Sequence, residues 1–352
     1  MFKIPRIEKS NFYLECAINA MQEKALTQKQ LISKKYSKIP KDKNLTAQEY
    51  NLRKRKELEI IKIQTLNVKI NKYLKKIIEK FPKKEHLEDI YIKLIDSSDV
   101  PFNSIEENLE NIDSICFGCD VLTTKTIQKI TDVKTQKTCD YIIKKYLGKI
   151  SKTFKKYSSS FNVLSISKQF INQLPKFEDL YTIAIAGFPN VGKSTLLKKL
   201  SGSNVEIQNY PFTTKGLMFG YITQEGNKHV QLIDTPGLLG RKISNNIEKK
   251  ALIIINDFCK KIIFVLDLTE SCGYSITEQI TLLKEIQKTK KEILIYLSKT
   301  DIYTKKEIED ENKLKKKLSA LETYKDHEIL KKDLIQFSFK KEGFDIKLIK
   351  KI

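Results

Sequence analysis

The strongest candidate for a functional site in this sequence is an eight-residue loop, GFPNVGKS at positions 187–194. It fits the phosphate-binding pattern G-x-x-x-x-G-K-S/T, in which backbone N–H groups and a helix N-terminus hold a triphosphate. We predict that Lys193 contacts the β- and γ-phosphates and that Ser194 binds Mg²⁺. The predicted nucleotide contacts of the loop are Gly187, Phe188, Pro189, Asn190, Val191, Gly192, Lys193, Ser194 and Thr195.

A second motif, Asp234-Thr235-Pro236-Gly237, follows the strand-like segment 229–233 and begins 40 residues after Ser194. An aspartate at the end of such a strand is where a P-loop enzyme holds its metal through water. We therefore predict that Asp234 contributes to Mg²⁺ binding and that the backbone of Gly237 approaches the γ-phosphate. By itself the tetrapeptide is also typical of an ordinary turn, and its order and spacing after the loop favour the functional interpretation.

A third motif, Ser298-Lys299-Thr300-Asp301, closes an apolar strand pattern. An aspartate here accepts two hydrogen bonds from N1 and N2 of guanine, which adenine cannot supply, while the lysine stem covers the base. The motif therefore favours guanine, with contacts from Ser298, Lys299 and Asp301. Its usual form begins with asparagine, so Ser298 predicts a weaker bond within the loop. Ser338 is predicted to provide a backbone contact to the guanine carbonyl.

The turn-rich segment 209–216, NYPFTTKG, lies where a switch that senses the γ-phosphate is expected. We predict that Thr214 binds Mg²⁺ only in the triphosphate state, with Thr213 as the alternative. A plain loop into the next strand is the other interpretation. Leu238 follows Gly237, where many GTPases carry a glutamine that orients the attacking water. We therefore expect slow intrinsic hydrolysis, and we assign catalytic roles to Lys193, Thr214 and Gly237.

These motifs need a parallel sheet to position them, and the apolar pattern after residue 180 predicts one. Predicted strands lie at 181–186, 216–223, 228–233, 261–267, 293–298 and 333–337, and predicted helices at 193–201, 245–257, 274–288, 305–320 and 344–351. Before residue 175, apolar residues recur at three- and four-residue steps between prolines, which predicts helices. The expected fold class is α + α/β, with an N-terminal helical bundle over 1–175 and a P-loop GTPase domain with a doubly wound, mostly parallel sheet over 176–352.

The charge of the chain indicates a class of partner. Its formal net charge is +22, and residues 1–80 hold 20 Lys and Arg against 8 Asp and Glu, whereas residues 81–120 hold 3 against 10. A concentrated basic excess favours nucleic acid. A composition rich in Lys, Ile and Asn throughout is a second explanation for the net charge. No apolar run approaches the roughly 20 residues of a membrane span, so we expect a soluble protein.

Six cysteines occur without a regular spacing, which indicates a reducing compartment. The run Cys116-Phe117-Gly118-Cys119 lacks the second pair or the nearby histidine of a zinc site. We interpret it as two small apolar residues at a helix end, with Gly118 as the cap. Metal binding or redox chemistry is the alternative.

In this order, the motifs GFPNVGKS, NYPFTTK and DTPGLL resemble those of the Obg-like branch of translation-factor-related GTPases. The segment DLTESCGYS at 267–275, with Glu278 and Gln279 after it, resembles one that is distinctive of the nucleolar GTP-binding protein 1 (Nog) family. Residues 245–251 and the helical region upstream are also similar to that family. The resemblance therefore extends over nearly the whole chain.

This resemblance implies a GTPase acting in assembly of the large ribosomal subunit, with the helical bundle on ribosomal RNA and the GTPase domain as a timer. It implies GTP or GDP and Mg²⁺ as cofactors, and K⁺ held by Asn190. The implied partners are large-subunit rRNA and pre-ribosomal particles, with no membrane and a monomer outside the ribosome. Two departures are Ser298 and the missing carboxyl-terminal extension of eukaryotic members. The second predicts a compact, archaeal-like, cytoplasmic form, or a nucleolar one if the source is eukaryotic.

Two other functions use parts of the same pattern. A regulatory switch whose helical bundle docks a protein partner without RNA would need the same nucleotide chemistry. Salt dependence separates the two, because contacts to RNA phosphates weaken steeply as salt rises. An ATP-driven RNA remodeller is disfavoured by the guanine-type motif and by the lack of a second nucleotide-gripping domain.

Overall fold

A computed structural model describes residues 3–38, 46–202, 205–208, 217–224, 227–235 and 251–299, and the backbone of 334–341 and 344–351. The chain divides into two compact units. The helical unit comprises Met1–Leu87 and Val100–Asn172, and the sheet unit comprises Glu88–Asp99 and Gln173–Ile352. The domains expected at 1–175 and 176–352 stay a prediction, because a compact unit need not fold independently.

The amino-terminal half is helical, as the sequence predicts. In chain order its helices are α1 (Ser10–Lys38), α2 (Ala47–Lys80), a short 3-10 turn (Lys84–His86), α3 (Asp89–Asp96), α4 (Phe102–Thr131), α5 (Gln136–Lys156) and α6 (Ser158–Asn172). Helix α3 belongs to the sheet unit. Within that unit the Tyr91 hydroxyl accepts a hydrogen bond from the backbone N–H of Phe177 at 3.2 Å.

Helix α2 shows how local sequence signals produce these elements. Its first turn has a capping box, in which the Thr46 hydroxyl accepts from Glu49 N at 3.3 Å and the Glu49 carboxylate accepts from Thr46 N at 2.8 Å. Its buried stripe has three- and four-residue spacing, at Ile63, Leu66, Ile70, Leu74 and Ile77. Burying each side chain stabilises the fold by about 1.5–3 kcal/mol. The helix ends before Phe81, which is extended because a proline follows it.

The pair Cys116 and Cys119 lies inside α4, which continues to Thr131. The interpretation of this motif as a helix end capped by Gly118 is therefore wrong. Both thiols are buried, and burial raises the pKa of each to about 12. A thiol that keeps its proton at neutral pH is a poor nucleophile and a poor metal ligand. The two side chains act as small apolar residues of the helical core.

Six strands form the main sheet, and they confirm its mostly parallel character. They are β1 (Tyr181–Ala186), β2 (Val205–Gln208), β3 (Leu217–Gln224), β4 (Asn227–Asp234), β5 (Lys261–Leu266) and β6 (Glu292–Leu297), in the spatial order β2-β3-β4-β1-β5-β6. Strands β4, β1, β5 and β6 are parallel, whereas β2 and β3 are antiparallel additions at one edge. The sequence predicted each of these strands except β2.

Two helices that pack on this sheet are also confirmed, α7 (Lys193–Ser201) and α8 (Ile276–Gln287). The predicted helix 245–257 is described only from residue 251, where Ile254–Phe258 forms a π-helix. The predicted helix 305–320 lies outside the described residues.

A separate antiparallel hairpin consists of β7 (Leu334–Lys341) and β8 (Phe344–Lys351). Strand β7 confirms the strand predicted at 333–337. The helix predicted at 344–351 is wrong, because this segment is β8. The physical reason is the alternation of Phe344, Ile346 and Leu348 with polar residues, which is the period of a strand.

Gly220 allows α7 to lie close to the sheet. A Cβ atom at this position of β3 would lie 2.8 Å from Leu197 Cδ1 and 2.9 Å from Ser201 Cβ, both on α7. In contrast, a Cβ atom at Gly118 of α4 would meet nothing within 4 Å. The same substitution therefore has opposite consequences at the two positions.

We expect Gly220→Ala to destabilise the sheet unit by about 1–3 kcal/mol, because the added methyl group overpacks the contact between β3 and α7. Urea unfolding of the purified chain measures this as a lower midpoint at unchanged slope.

Gly118→Ala is the matched control, and it should stabilise the helical unit by about 0.5–1 kcal/mol, since alanine is the better helix former. Equal stability of the Gly220→Ala variant and the parent chain would contradict the close approach of α7.

Candidate nucleotide-binding site

The phosphate-binding loop connects β1 to α7, and two glycines allow its path. Gly187 follows β1 with φ +145°, and a Cβ atom there would lie 2.6 Å from the carbonyl oxygen of Val265 on β5. Gly192 precedes α7 with φ +102°. Side chains strongly disfavour both conformations. The chain therefore turns sharply out of the sheet, and the free N–H groups of α7 face the loop.

Lys193 reaches back over this loop from the first turn of α7. Its ammonium donates a hydrogen bond to the carbonyl oxygen of Phe188 at 2.8 Å, and the residue is only 7% exposed. Burial lowers the pKa of Lys193, and the nearby charge of Asp234 opposes that shift. Among the described residues this buried cation has a single carbonyl partner, so it is a strong site for an anion such as a phosphate group.

Ser194, the next residue of α7, contacts Asp234 at the end of β4. The Ser194 hydroxyl donates to Asp234 Oδ2 at 2.6 Å, and Asp234 Oδ1 is buried without a partner among the described residues. Burial raises the pKa of Asp234, while the hydrogen bond from Ser194 and the charge of Lys193 hold it down. A hydroxyl beside a carboxylate with a free oxygen supplies the hard ligands that Mg²⁺ takes. These residues therefore fit such an ion.

The part of the chain that the structure describes contains no second candidate metal site. There, no group of three or more His, Cys, Asp or Glu side chains could hold a metal ion. An ion at this site would complete its shell with oxygen atoms from the nucleotide, from water or from segments outside the described residues.

The predicted base-binding loop starts where β6 ends. Ser298 N donates to the carbonyl oxygen of Leu266 at 2.9 Å, and its hydroxyl donates to the same oxygen at 3.3 Å. Ser298 also lies beside the phosphate-binding loop, because a Cβ atom at Gly192 would be 3.7 Å from Ser298 Cβ. Lys299 Nζ donates to Asp267 Oδ2 and to Ser271 Oγ, each at 2.8 Å. The structure thus brings the first and third motifs together.

Six predicted residues outside the phosphate-binding loop divide into two groups. Thr213, Thr214, Gly237, Leu238 and Asp301 lie outside the described residues. Ser338 lies on β7, whose described partner is β8. The predicted contact of Ser338 with guanine stays a prediction.

Sequence reasoning gave no role to Asp267 and Gln279, which lie next to the predicted base loop. Asp267 follows β5 directly, and Gln279 lies on α8, and both are fully buried. The position of Asp267 in the sequence could have indicated its role, because ligands in such folds bind at the carboxyl ends of the parallel strands. The ring of Tyr274, between them in the chain, packs 4.3 Å from the Phe188 ring of the phosphate-binding loop.

Two family models match the chain. Residues 182–299 match the model described as 50S ribosome-binding GTPase, and residues 23–178 match the model described as NOG1 N-terminal helical domain. Together with the phosphate-binding loop and the mostly parallel sheet, these matches define the class of protein. It is a P-loop GTPase that carries a helical region before its GTPase domain.

Sequence relatives identify the family. A protein of Methanocaldococcus jannaschii that is itself uncharacterized is 34% identical over 257 residues, which cover 71% of this chain and 71% of that protein. Nucleolar GTP-binding protein 1 of Caenorhabditis elegans is 28% identical over 294 residues, which cover 82% of this chain and 42% of that protein. The chain belongs to the nucleolar GTP-binding protein 1 (Nog) family of GTPases. It spans less than half the length of the C. elegans relative.

Among solved structures, a Plasmodium falciparum protein named as nucleolar GTP-binding protein 1 is 32% identical with a TM-score of 0.34, covering 43% of this chain and 76% of that chain. Within the described ranges of the present chain, no helix combines the length and apolar character needed to cross a membrane.

The buried carboxylate of Asp234 makes the stability of the nucleotide-free chain depend on pH. Because burial raises the folded-state pKa above the unfolded value, the folded state binds more protons between these two values. Stability therefore falls as pH rises through that window. Asp234→Asn removes the charge, so we expect a higher unfolding free energy at pH 7 without nucleotide and no gain near pH 4, close to the unfolded pKa of about 3.9.

Urea unfolding at the two pH values measures this difference. Asp140→Asn removes a mostly exposed carboxylate of the helical unit and should change stability by less than about 0.5 kcal/mol at either pH. A lower stability of Asp234→Asn at pH 7 would contradict the assignment of an unfavourable buried charge.

Proposed function

We propose that this GTPase acts in assembly of the large ribosomal subunit, with its sheet unit as a GTP-dependent switch and its helical unit on ribosomal RNA. The observation that carries the proposal is the grouping of Lys193, Ser194 and Asp234 around the phosphate-binding loop. Support for the ribosomal context comes from the family model named for 50S ribosome binding and from relatives named nucleolar GTP-binding protein 1.

In this proposal the loop residues 187–195 hold the phosphates of GTP. Lys193 turns its ammonium from the Phe188 carbonyl toward the β- and γ-phosphates, and the N-terminus of α7 adds its positive dipole. Ser194, Asp234 and, in the triphosphate state, Thr214 would hold Mg²⁺, which neutralises charge on the transferring and leaving groups when bound. The backbone N–H of Gly237 contacts the γ-phosphate and so reports its presence.

The guanine base is recognised by the predicted contacts of the third motif and of Ser338. Asp301 accepts hydrogen bonds from N1 and N2 of guanine, and the apolar stem of Lys299 covers the base. Ser298 ties the loop to β5 through the Leu266 carbonyl. Ser338 gives a backbone contact to the guanine carbonyl. Selectivity for guanine over adenine thus resides in a hydrogen-bonding pattern, which discriminates strongly.

Hydrolysis without a partner is slow in this proposal. Leu238 has no group that orients water, so the attacking water needs another source of orientation. Asn190 lies in the phosphate-binding loop and has a left-handed backbone conformation, with φ +60°. We assign to it a K⁺ ion at the phosphates, where a monovalent cation would add positive charge to the transition state.

The potassium assignment predicts that Asn190→Gly abolishes any stimulation of GTP hydrolysis by K⁺ over Na⁺. Glycine removes the side chain and keeps the left-handed backbone, whereas alanine would strain it. Phosphate release at matched ionic strength measures the effect.

The control is Asn67→Gly in the helical unit, which should leave the K⁺ response unchanged. Retained K⁺ stimulation in Asn190→Gly would remove this assignment.

Helix α5 is the part of the helical unit best suited to RNA. One face of the helix is buried through Cys139, Tyr146, Ile150 and Phe154. The opposite side carries exposed lysines at positions 137, 144, 145, 149, 152, 155 and 156. Asp140 is the only acidic residue in the helix, and its carboxylate pairs with Arg55 of α2 at 2.8 Å. A lysine face of this kind attracts a phosphate backbone.

We predict that GTP-loaded protein binds purified large ribosomal subunits with an affinity that falls steeply as NaCl rises. Lys149→Gln with Lys152→Gln should weaken binding and flatten the log–log salt slope by about 1 to 2, since each lost phosphate contact removes about 0.7–0.9. Co-sedimentation over a salt series measures both quantities.

Lys284→Gln with Lys290→Gln removes two exposed lysines of the sheet unit and should leave the slope unchanged. An unchanged slope in the α5 variant would reject α5 as the RNA face. Binding of the parent chain that hardly depends on salt would instead favour a switch that docks a protein partner.

A further inference from the structure

The carboxylate of Asp267 is fully buried and saturated with hydrogen bonds. Its Oδ1 accepts from the N–H and the hydroxyl of Thr269, at 3.0 Å and 2.6 Å. Its Oδ2 accepts from Lys299 Nζ at 2.8 Å, from Cys272 N at 3.0 Å and from Ser271 Oγ at 3.2 Å. An ionised carboxylate in this position has its acceptor sites filled from two separate segments, the turn 269–272 and the predicted base loop.

The backbone of Asp267 is fixed as firmly as its side chain. Gln279 of α8, also fully buried, accepts from Asp267 N and donates to Asp267 O, each at 2.9 Å. The same amide donates to the carbonyl oxygen of Tyr274 at 3.0 Å. A capping box of Ser275 and Glu278 starts α8 and so fixes the helix that carries Gln279. The position of the Asp267 carboxylate is therefore set before any ligand arrives.

Lys299 belongs to the described part of the predicted base loop, and this carboxylate binds its ammonium. Its backbone is left-handed, with φ +55°, and its ammonium is bound at both Asp267 and Ser271. Burial alone would raise the pKa of Asp267, but the hydrogen bonds from Lys299 and Thr269 lower it below its usual value. The Asp267 carboxylate is thus ionised at neutral pH, and the Lys299 side chain is fixed at both ends, by its backbone and by its bound ammonium.

Because Ser298 replaces the usual asparagine of this motif, the contact between Lys299 and Asp267 becomes important for fixing the base loop. Among the described residues, the short hydroxyl of Ser298 bonds to the Leu266 carbonyl of β5, at 3.3 Å. Ordering a free lysine side chain costs conformational entropy. A stem that is already anchored avoids that cost when a ligand packs on it.

We propose that Asp267 is a positioning residue for the guanine base, which it serves by anchoring the Lys299 ammonium and so fixing the side chain on which the base stacks. This inference rests on the proposed guanine site at residues 298–301. Asp267 itself touches no part of the nucleotide. Because the base is the same in GTP and GDP, Asp267 sets the affinity for both nucleotides by the same factor and leaves the chemical step unchanged.

The test is a double-mutant cycle on the full chain, with fluorescent GTP and GDP analogues and with multiple-turnover hydrolysis. We expect Asp267→Asn to raise both Kd values by about tenfold, the factor that matches the ordering cost of one long side chain, with kcat unchanged. Lys299→Met keeps most of the stem and removes the ammonium. In that background Asp267→Asn should raise Kd by less than about twofold, because the interaction through which it acts is already gone.

Glu292→Gln is the matched control. It removes a carboxylate that pairs with Lys261 at 2.6 Å between the same two strands, β5 and β6, at their amino ends. Both Kd values should stay within about twofold of the parent. If Asp267→Asn fails to fold, Ser271→Ala removes the other anchor of Lys299, and it should raise both Kd values two- to threefold only while Lys299 is present.

The outcomes distinguish failure of the role proposed for Asp267 from failure of the proposed guanine site. If Asp267→Asn raises Kd equally with and without Lys299, Asp267 only stabilises its own turn and the inference is overturned. A change in the Kd of GTP without one in that of GDP overturns it as well. If Lys299→Met alone leaves GTP binding unchanged, the proposed guanine site fails, and this inference fails with it.

Discussion

The site depends on one constraint, which is that four neighbouring strands run parallel and end at the same edge of the sheet. In spatial order β4 ends at Asp234, β1 leads into Gly187, β5 into Asp267 and β6 into Ser298. Each strand end thereby delivers one chemical group to a common region. Hydrogen bonds continue the ladder past the strands, with Thr235 donating to Ile185 O and Ser298 donating to Leu266 O. A shift of one residue in any register would turn these groups away.

The pKa values of two buried carboxylates at this edge are shifted in opposite directions, and the difference follows from their hydrogen-bond partners. Among the described residues Asp234 has one strong donor, Ser194, and its Oδ1 has no partner, and burial raises its pKa. Asp267 accepts from Lys299 and from a complete turn, so its pKa is lowered. The first is unfavourable until a cation arrives, and the second is satisfied in the free protein. Such a division suits one group that receives a ligand and another that holds a neighbouring residue in place.

Much of this could be predicted from the sequence because the signals are local. The loop 187–194, the buried strands and the capping box of α8 each depend on residues within one short segment. Strand β2 was missed because four half-exposed edge residues carry little apolar pattern. The lysine face of α5 was missed because charge was counted over long windows and not around the helix. The role of Asp267 depends on Lys299, 32 residues away, so only the fold reveals their pairing.

The central claim is that these strand ends build a site for guanine nucleotide, and direct calorimetric titration of the full chain with GTP, GDP and ATP in the presence of Mg²⁺ tests it. A site that reads guanine by hydrogen bonds should bind GTP and GDP at least about a hundredfold more tightly than ATP. Equal affinities for GTP and ATP would contradict the claim, because the phosphate-binding loop would then act without a base-specific partner.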